Sequence, residues 1–329
     1  MKKTIILVIV LSFQIIFAQA KTSKISSMPG AFSRLGFGAR GIGMGNAMSA
    51  VTEGNLVSYY NPALSVFQDG NLFQTSYSFL SFDRSLNFLS FTKRFDLFSS
   101  QSKTKPRASA GISLGIINSG VGNITGRDNE GTITENLSTS ENQFFLGFAN
   151  RFSEKLSIGL AVKFYYYKLY KGISATSVGL DFGALYRISD HLNVSLMISD
   201  INSKYKWDST PLYGQDGTSP EDNFPVLKKI GLSYTEKNIG LIVAAEYENS
   251  NGGTNILRGG IEYNIIDKLF IRAGVDQFNL SNSDFPAKPS FGFSYFKNFD
   301  NIIIGIDYAF MLEQYSSQDR HIVGVSVNF

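Results

Sequence analysis

The feature that most constrains this chain is a two-residue alternation of large apolar side chains with small or polar ones, held over stretches of nine residues or more. In 155–168, KLSIGLAVKFYYYK, one face carries Leu156, Ile158, Leu160, Val162, Phe164 and Tyr166. The other carries Ser157, Gly159, Ala161, Lys163 and Tyr165. In 301–311 the same split sets Ile302, Ile304, Ile306, Tyr308 and Phe310 against Ile303, Gly305, Asp307 and Ala309. Alternation of this kind is the period of a strand, not of a helix. Fourteen segments show it: 71–82, 85–95, 107–117, 141–152, 155–168, 175–189, 191–201, 224–235, 238–249, 255–266, 269–280, 288–299, 301–312 and 319–329. Strands of soluble sheets average about 5–6 residues. Most of these segments are twice that length, which suits a tilted strand crossing a bilayer.

The joins between segments have a parity. From the fourth segment on, 153–155, 189–190, 236–238, 266–268 and 298–301 are short, and 118–140, 169–174, 202–223, 250–254, 281–287 and 313–318 are generally longer. Short turns on one rim and longer loops on the other are the layout of outer-membrane barrels. The stretch 96–106, DLFSSQSKTKP, is the exception, because parity places it on the short side. A basic residue on a lipid face near the midplane costs about 2–4 kcal/mol. The apolar faces are therefore expected outward, against outer-membrane lipid, and the polar faces inward. Pairing the last strand with the first leaves no edge and satisfies every backbone group. The expected fold is an all-β membrane barrel: a 14-stranded antiparallel outer-membrane β-barrel with an N-terminal hatch in the lumen.

The ends fit an outer-membrane destination. Lys2 and Lys3, the apolar run 4–17 and Ala18-Gln19-Ala20 make a signal peptide, with cleavage expected after Ala20. There is no cysteine, which excludes a lipoprotein anchor, disulfides and thiol chemistry. At the other end His321, Val323, Val325, Val327 and Phe329 share a face, and closing on an aromatic resembles the C-terminal signature of bacterial outer-membrane barrels. With 28 Phe, 16 Tyr, 31 Gly and 17% charged residues the composition is β-rich and low in charge, and a net charge of +3 is too small to suggest nucleic acid. The expected division is a signal peptide at 1–20, a hatch or plug segment at 21–70 and a barrel at 71–329.

The stretch 35–47, LGFGARGIGMGNA, contains Gly36-x-Gly38-x-x-Gly41, the spacing of a dinucleotide-binding loop. Such a loop needs a buried strand before it, a helix after it and a βαβ setting. None is present, so no nucleotide is expected. The longer run GFGARGIGMGNAMSAVTEGNLVSYYNPALSVF resembles the N-terminal segment of the PorV/PorQ family, relatives of the FadL channel. Asn46 stands where that family has a second glycine, and it tolerates a left-handed backbone. The resemblance implies a 14-stranded barrel whose N-terminal segment is a hatch. The hatch motif is then Gly36, Gly38, Arg40, Gly41, Gly43, Gly45, Asn61, Pro62 and Ala63, with the glycines fitting the segment into a narrow lumen. Asn61 before Pro62 reads as a tight turn, and Arg40 is expected to meet a lumen carboxylate.

The inward faces carry Lys163, Asp181, Arg187, Glu246, Arg258, Glu262, Arg272, Asp276 and Asp307. Most lie on the ninth to thirteenth segments and are placed to form one patch. Charges taken from water need partners, so they read either as a paired network that fills the lumen and holds the hatch or as a path for a substrate or ion. Two isolated histidines and no cysteine give no metal site, and no nucleophile, base and orienting group stand together. The sequence 127–132, RDNEGT, lacks the spacing of a calcium loop. Trp207 and Tyr165–Tyr167 suit an interfacial aromatic girdle or loop packing. No catalytic residues, metal or cofactor are expected. The resemblance implies assistance to type IX-like secretion, with secreted cargo or secretion components as partners and loops 118–140 and 202–223 as contact surfaces. The alternative is a FadL-like channel for uptake of hydrophobic small molecules.

Overall fold

A computed structural model of the chain describes residues 23–99, 102–282 and 284–329. The expected signal peptide lies outside the described residues. The strands are β1 (Asn71–Phe79), β2 (Arg84–Ser99), β3 (Ser102–Arg127), β4 (Ile133–Arg151), β5 (Leu156–Tyr170), β6 (Ile173–Arg187) and β7 (Leu192–Ile201). A small ribbon follows, β8 (Lys204–Lys206) and β9 (Glu221–Asn223). The chain then returns to the wall with β10 (Leu227–Glu236), β11 (Leu241–Ser250), β12 (Asn255–Ile266), β13 (Leu269–Asn279), β14 (Lys288–Phe299), β15 (Ile302–Met311) and β16 (Arg320–Asn328). Without the ribbon, fourteen strands close an antiparallel barrel, with β7 pairing to β10 and β1 to β16 from Leu72↔Asn328 to Phe79↔His321. Among the described residues no helix is long and apolar enough to cross a membrane; the strands make the crossing.

The alternation decides the faces. Leu160, Val162 and Phe164 on β5 are exposed outward, whereas Ser157, Ala161, Lys163 and Tyr165 on its other face are buried inside. A register slip of one residue would exchange the two sets. β12 and β14 have the bounds expected from sequence. The exception at 96–106 disappears, because β2 runs on to Ser99 and β3 starts at Ser102, so parity holds there as well. The expected loop 118–140 is mostly strand. β3 and β4 continue above the wall to a turn in which Asp128 Oδ1 accepts from the amides of Glu130 and Thr132, both at 2.9 Å. That carboxylate oxygen caps its own turn.

Residues 23–70 run through the barrel from one rim to the other. At one end Ser23 Oγ and Lys24 N donate to Gly252 O (3.0 and 2.8 Å), in the join between β11 and β12 on the long-loop rim. At the other end Asn71 pairs its backbone with Phe329 on the short-turn rim. In between, the wall reaches in from all sides: Ser157 donates to Ala63 O (3.2 Å), Ser233 to Ala50 O (2.7 Å), and Arg320 to Leu35 O (2.6 Å) and Gly36 O (3.2 Å).

Candidate functional site

The hatch motif folds as a compact knot. Ala39–Gly43 makes one helical turn, preceded by Gly38 and followed by the reversal at Gly45–Asn46. Gly45 has φ +59 and packs against backbone atoms of Gly259 and Val275, so it needs both a left-handed backbone and no side chain. Asn46 is left-handed too, at φ 61, and donates to Asp276 Oδ2 at 2.7 Å. Tyr60 closes the knot: its hydroxyl accepts from Phe37 N at 3.0 Å and donates to Asn46 Oδ1. Further along, Asn61 Oδ1 accepts from Ala63 N (3.0 Å), Asn61 Nδ2 donates to Ser49 O (2.9 Å), and Pro62–Phe67 follows as a 3-10 helix. The backbone of Pro62 and Ala63 presses on the wall at Gly159 of β5, where a methyl group would meet it at about 2.6 Å.

Arg40 is 4% exposed and grips Glu262 with two hydrogen bonds, Nε to Oε2 and Nη2 to Oε1, both 2.8 Å. Its third donor reaches Asn55 O at 2.6 Å. Glu262 also accepts from Arg272, which extends through Ser294 to Asp307. A second group surrounds Arg258, which bonds Asp276 (2.7 Å), Glu248 (3.1 Å) and Glu246 (3.3 Å), with Lys229 3.3 Å from Glu248. Both groups are buried and densely paired, as buried charges must be.

The charges do not make the single patch expected. The groups around Glu262 and Arg258 are separated on the wall by the facing pair Gly260↔Gly274, and the backbone of Met44 and Gly45 occupies the bare strip between them. Lys163 and Asp181 lie on another wall, 2.8 Å apart, and pair with Asp200 (Lys163 Nζ to Oδ1, 3.3 Å). Arg187 sits apart from all three groups, its guanidinium 5.0 Å from the centre of the Phe67 ring. Tyr165, of the aromatic cluster, is wholly buried and donates to Asp200 Oδ1 at 2.5 Å, while Trp207 meets Tyr167 edge-on and donates to Asp222 (2.8 Å). Tyr165, Tyr167 and Trp207 pack loop against lumen, whereas Tyr166 between them faces outward.

Sequence reasoning missed Lys229, Glu248, Asp200 and Arg320. Lys229, Glu248 and Arg320 continue inward faces by two residues, so the alternation carried their signal. Asp200 does not: with Asp200 at φ 60 and Asn202 at φ 61, β7 turns away from β6 after the pair Leu180↔Ile201. Beyond it β6 is met by β8 at Thr176↔Lys206. The gap is a cleft of about 310 Å³ lined by Thr176, Ser177, Val178, Asn202, Lys204 and Lys206. The bulge that opens it is pinned from inside by Lys163, Tyr165 and Asp181, which accepts the Asp200 amide at 2.9 Å. At the long-loop mouth lies a cavity of about 530 Å³, where Leu35, Phe79, Leu80, Phe82 and Val121 meet the charged Arg84, Lys288, Glu313 and Arg320. Below it the lumen holds a void of about 30 Å³ between Tyr60, Lys163 and Glu248, room for about one water.

No protein-family model and no curated protein matches the chain. Solved structures do match. The TodX deltaS2S3 mutant monoaromatic hydrocarbon channel superposes with a TM-score of 0.59 at 17% identity, over 89% of this chain and 99% of that one. The Pseudomonas putida toluene transporter TodX gives 0.57 at 16%, over 89% and 96%. A Pseudomonas aeruginosa FadL homologue gives 0.51 at 11%, over 87% and 96%. At these identities the likeness extends to the fold alone, a closed antiparallel β-barrel.

Proposed function

We propose that this chain is an outer-membrane conduit for hydrophobic small molecules, the alternative of the two readings taken from the sequence. The export reading rests on sequence resemblance alone, whereas the two TodX structures named above are described as a hydrocarbon channel and a toluene transporter. The observation that carries the proposal is the interrupted wall. The axis of the barrel is filled by the hatch, so a solute that enters the mouth cavity has no straight way through. The cleft between β6 and the turn that leads from β7 into β8 is where the hydrogen-bonded wall is parted. The segment 23–70 then acts as the plug, and the buried pairs of Arg40 and Asn46 hold it in register.

The test is uptake of a fluorescent hydrophobic probe by intact Gram-negative cells with and without the barrel, beside a polar sugar of similar size. Faster entry of the hydrophobic probe alone is expected. Equal rates in both strains, or purification of the barrel with a secreted protein bound, would overturn the proposal.

A further inference from the structure

We propose that the outward face of the long-loop rim from β2 to β6 docks a phosphorylated glycolipid of the outer leaflet, with Lys168 taking a phosphate and a ladder of asparagine amides taking sugar hydroxyls. The site stands apart from the conduit reading. Short turns are the periplasmic ones, so the long-loop rim is the cell-surface rim. There the strands pair so that five outward residues stand side by side, Asn87↔Asn118↔Asn142↔Tyr166↔Thr176. Two residues further toward the periplasm the same face carries Leu89, Ile116, Phe144, Phe164 and Val178, all exposed. Two residues further toward the cell surface it carries Ser85, Gly120, Ser140, Lys168 and Ser174. Polar groups are not left unsatisfied in hydrocarbon, so the change on each strand marks the level of the lipid headgroups.

The amides are held in a fixed row. Asn87 Nδ2 donates to Asn118 Oδ1 (3.2 Å), Asn118 Nδ2 to Asn142 Oδ1 (2.7 Å), and Asn142 Nδ2 to Ser140 Oγ (3.1 Å). Each amide has two N–H donors and two lone pairs, so the ladder leaves donors and acceptors over, and all three asparagines are partly exposed. Lys168 stands one step above, opposite Ser140 and Ser174. It is exposed and pairs with no acidic group among the described residues, whereas Glu135 takes Lys171 and Glu221 takes Lys204 and Lys206. At the other rim the outward lysines lie over rings instead, Lys93 over Phe95 (5.3 Å) and Lys297 over Phe299 (5.0 Å). Across the barrel the cell-surface rim stays aromatic, with Tyr77, Phe79, Phe291 and Phe310 facing out and Tyr308 bonded to His321 (2.8 Å). Only the β2–β6 sector therefore sets three chemistries in order up the wall: apolar, neutral hydrogen-bonding, cationic. A lipid whose acyl chains, sugar and phosphate follow in that order matches all three. A phospholipid lacks the sugar that the ladder is built to meet.

The test uses the full-length barrel in detergent, mixed with diphosphoryl lipid A and read by native mass spectrometry, with heat-modifiability on gels confirming the fold of each variant. The wild type is expected to retain lipid A in preference to phosphatidylglycerol. Lys168→Ala is expected to weaken binding about fivefold, the worth of one lysine at a charged membrane surface, and Asn118→Ala by about the same factor. Lys93→Ala, at the periplasmic rim, is expected to leave it unchanged. With lipid A stripped of its phosphates, the dependence on Lys168 should vanish and that on Asn118 persist. The proposal is overturned if the wild type retains no lipid A, if phosphatidylglycerol competes equally, or if Lys93→Ala weakens binding as much as Lys168→Ala. Should Asn118→Ala not fold, Lys168→Ala decides, because its side chain is exposed and leaves the ladder intact.

Discussion

Arg40→Ala is the sharpest perturbation of the plug. The guanidinium is buried, bonds Glu262 twice at 2.8 Å and reaches Asn55 O at 2.6 Å. Removing one partner of a buried pair costs about 3–5 kcal/mol, because the other charge is stranded. Glu262 keeps Arg272, so the lower end applies, about 3 kcal/mol. At 1.36 kcal/mol per decade that is about a hundredfold in the opening equilibrium of the hatch. The assay is hydrogen exchange of the purified barrel in detergent, read by mass spectrometry. Peptides from 36–70 are expected to exchange about a hundredfold faster, and peptides from the strands to stay unchanged, because the β1–β16 closure does not pass through Arg40. Glu53→Ala is the comparator. Its pair with Lys237 (3.2 Å) also ties the segment to the wall, but the side chains are 66% and 35% exposed, and such pairs are worth about 0–1 kcal/mol. If the two variants accelerate exchange equally, the buried pair is not what holds the hatch, and the reasoning fails.

Three further outcomes follow from the same geometry. Gly274→Ala would put a methyl group about 2.5 Å from the Met44 carbonyl carbon and closer still to Gly45 N, with only backbone to give way. The yield of heat-modifiable barrel on gels is expected to fall sharply, whereas Gly122→Ala, with nothing within 4 Å, leaves it unchanged. Leu160→Arg places a cation on the lipid face and is expected to lower the folding free energy in vesicles by about 2–4 kcal/mol in a denaturant titration. Tyr60→Phe deletes the hydroxyl that serves Phe37 N and Asn46. It is expected to cost about 1–3 kcal/mol and to speed exchange at the Phe37 amide before other hatch amides.

The wall was legible because one rule governs it. Lipid outside and a narrow lumen inside force each strand to alternate, so β12 and β14 could be bounded to the residue from side-chain size alone. The extensions of β3 and β4 were not, because above the membrane neither face must be apolar: Asn123, Thr125, Glu135 and Asn136 carry no alternation to read. The glycines of the hatch marked it as unusual, yet its path depends on contacts more than two hundred residues away, such as Arg40 with Glu262 and Arg320 with Leu35. Asp200 escaped for a different reason. Its left-handed backbone breaks the period, so Ser199 and Asp200 are both buried where alternation allows only one.

The position of the plug is written in the wall as much as in the plug. On β12 the inward residues run Arg258, Gly260, Glu262, and on β13 they run Arg272, Gly274, Asp276, with Glu262 facing Arg272 and Gly260 facing Gly274. Charge, gap, charge is repeated on both strands in opposite directions. The gap admits a main chain and nothing wider, and Met44–Gly45 fills it. The charges on either side then accept only a segment with a cation four residues before the Met44 position and an amide two residues after it, which Arg40 and Asn46 supply. A shift of the segment by one residue would take Arg40 from Glu262 and Asn46 from Asp276 together and drive a side chain into Gly274. The register of the hatch is therefore fixed by two buried carboxylates and a steric slot, and a movement that shifts this part of the hatch must release both contacts at once.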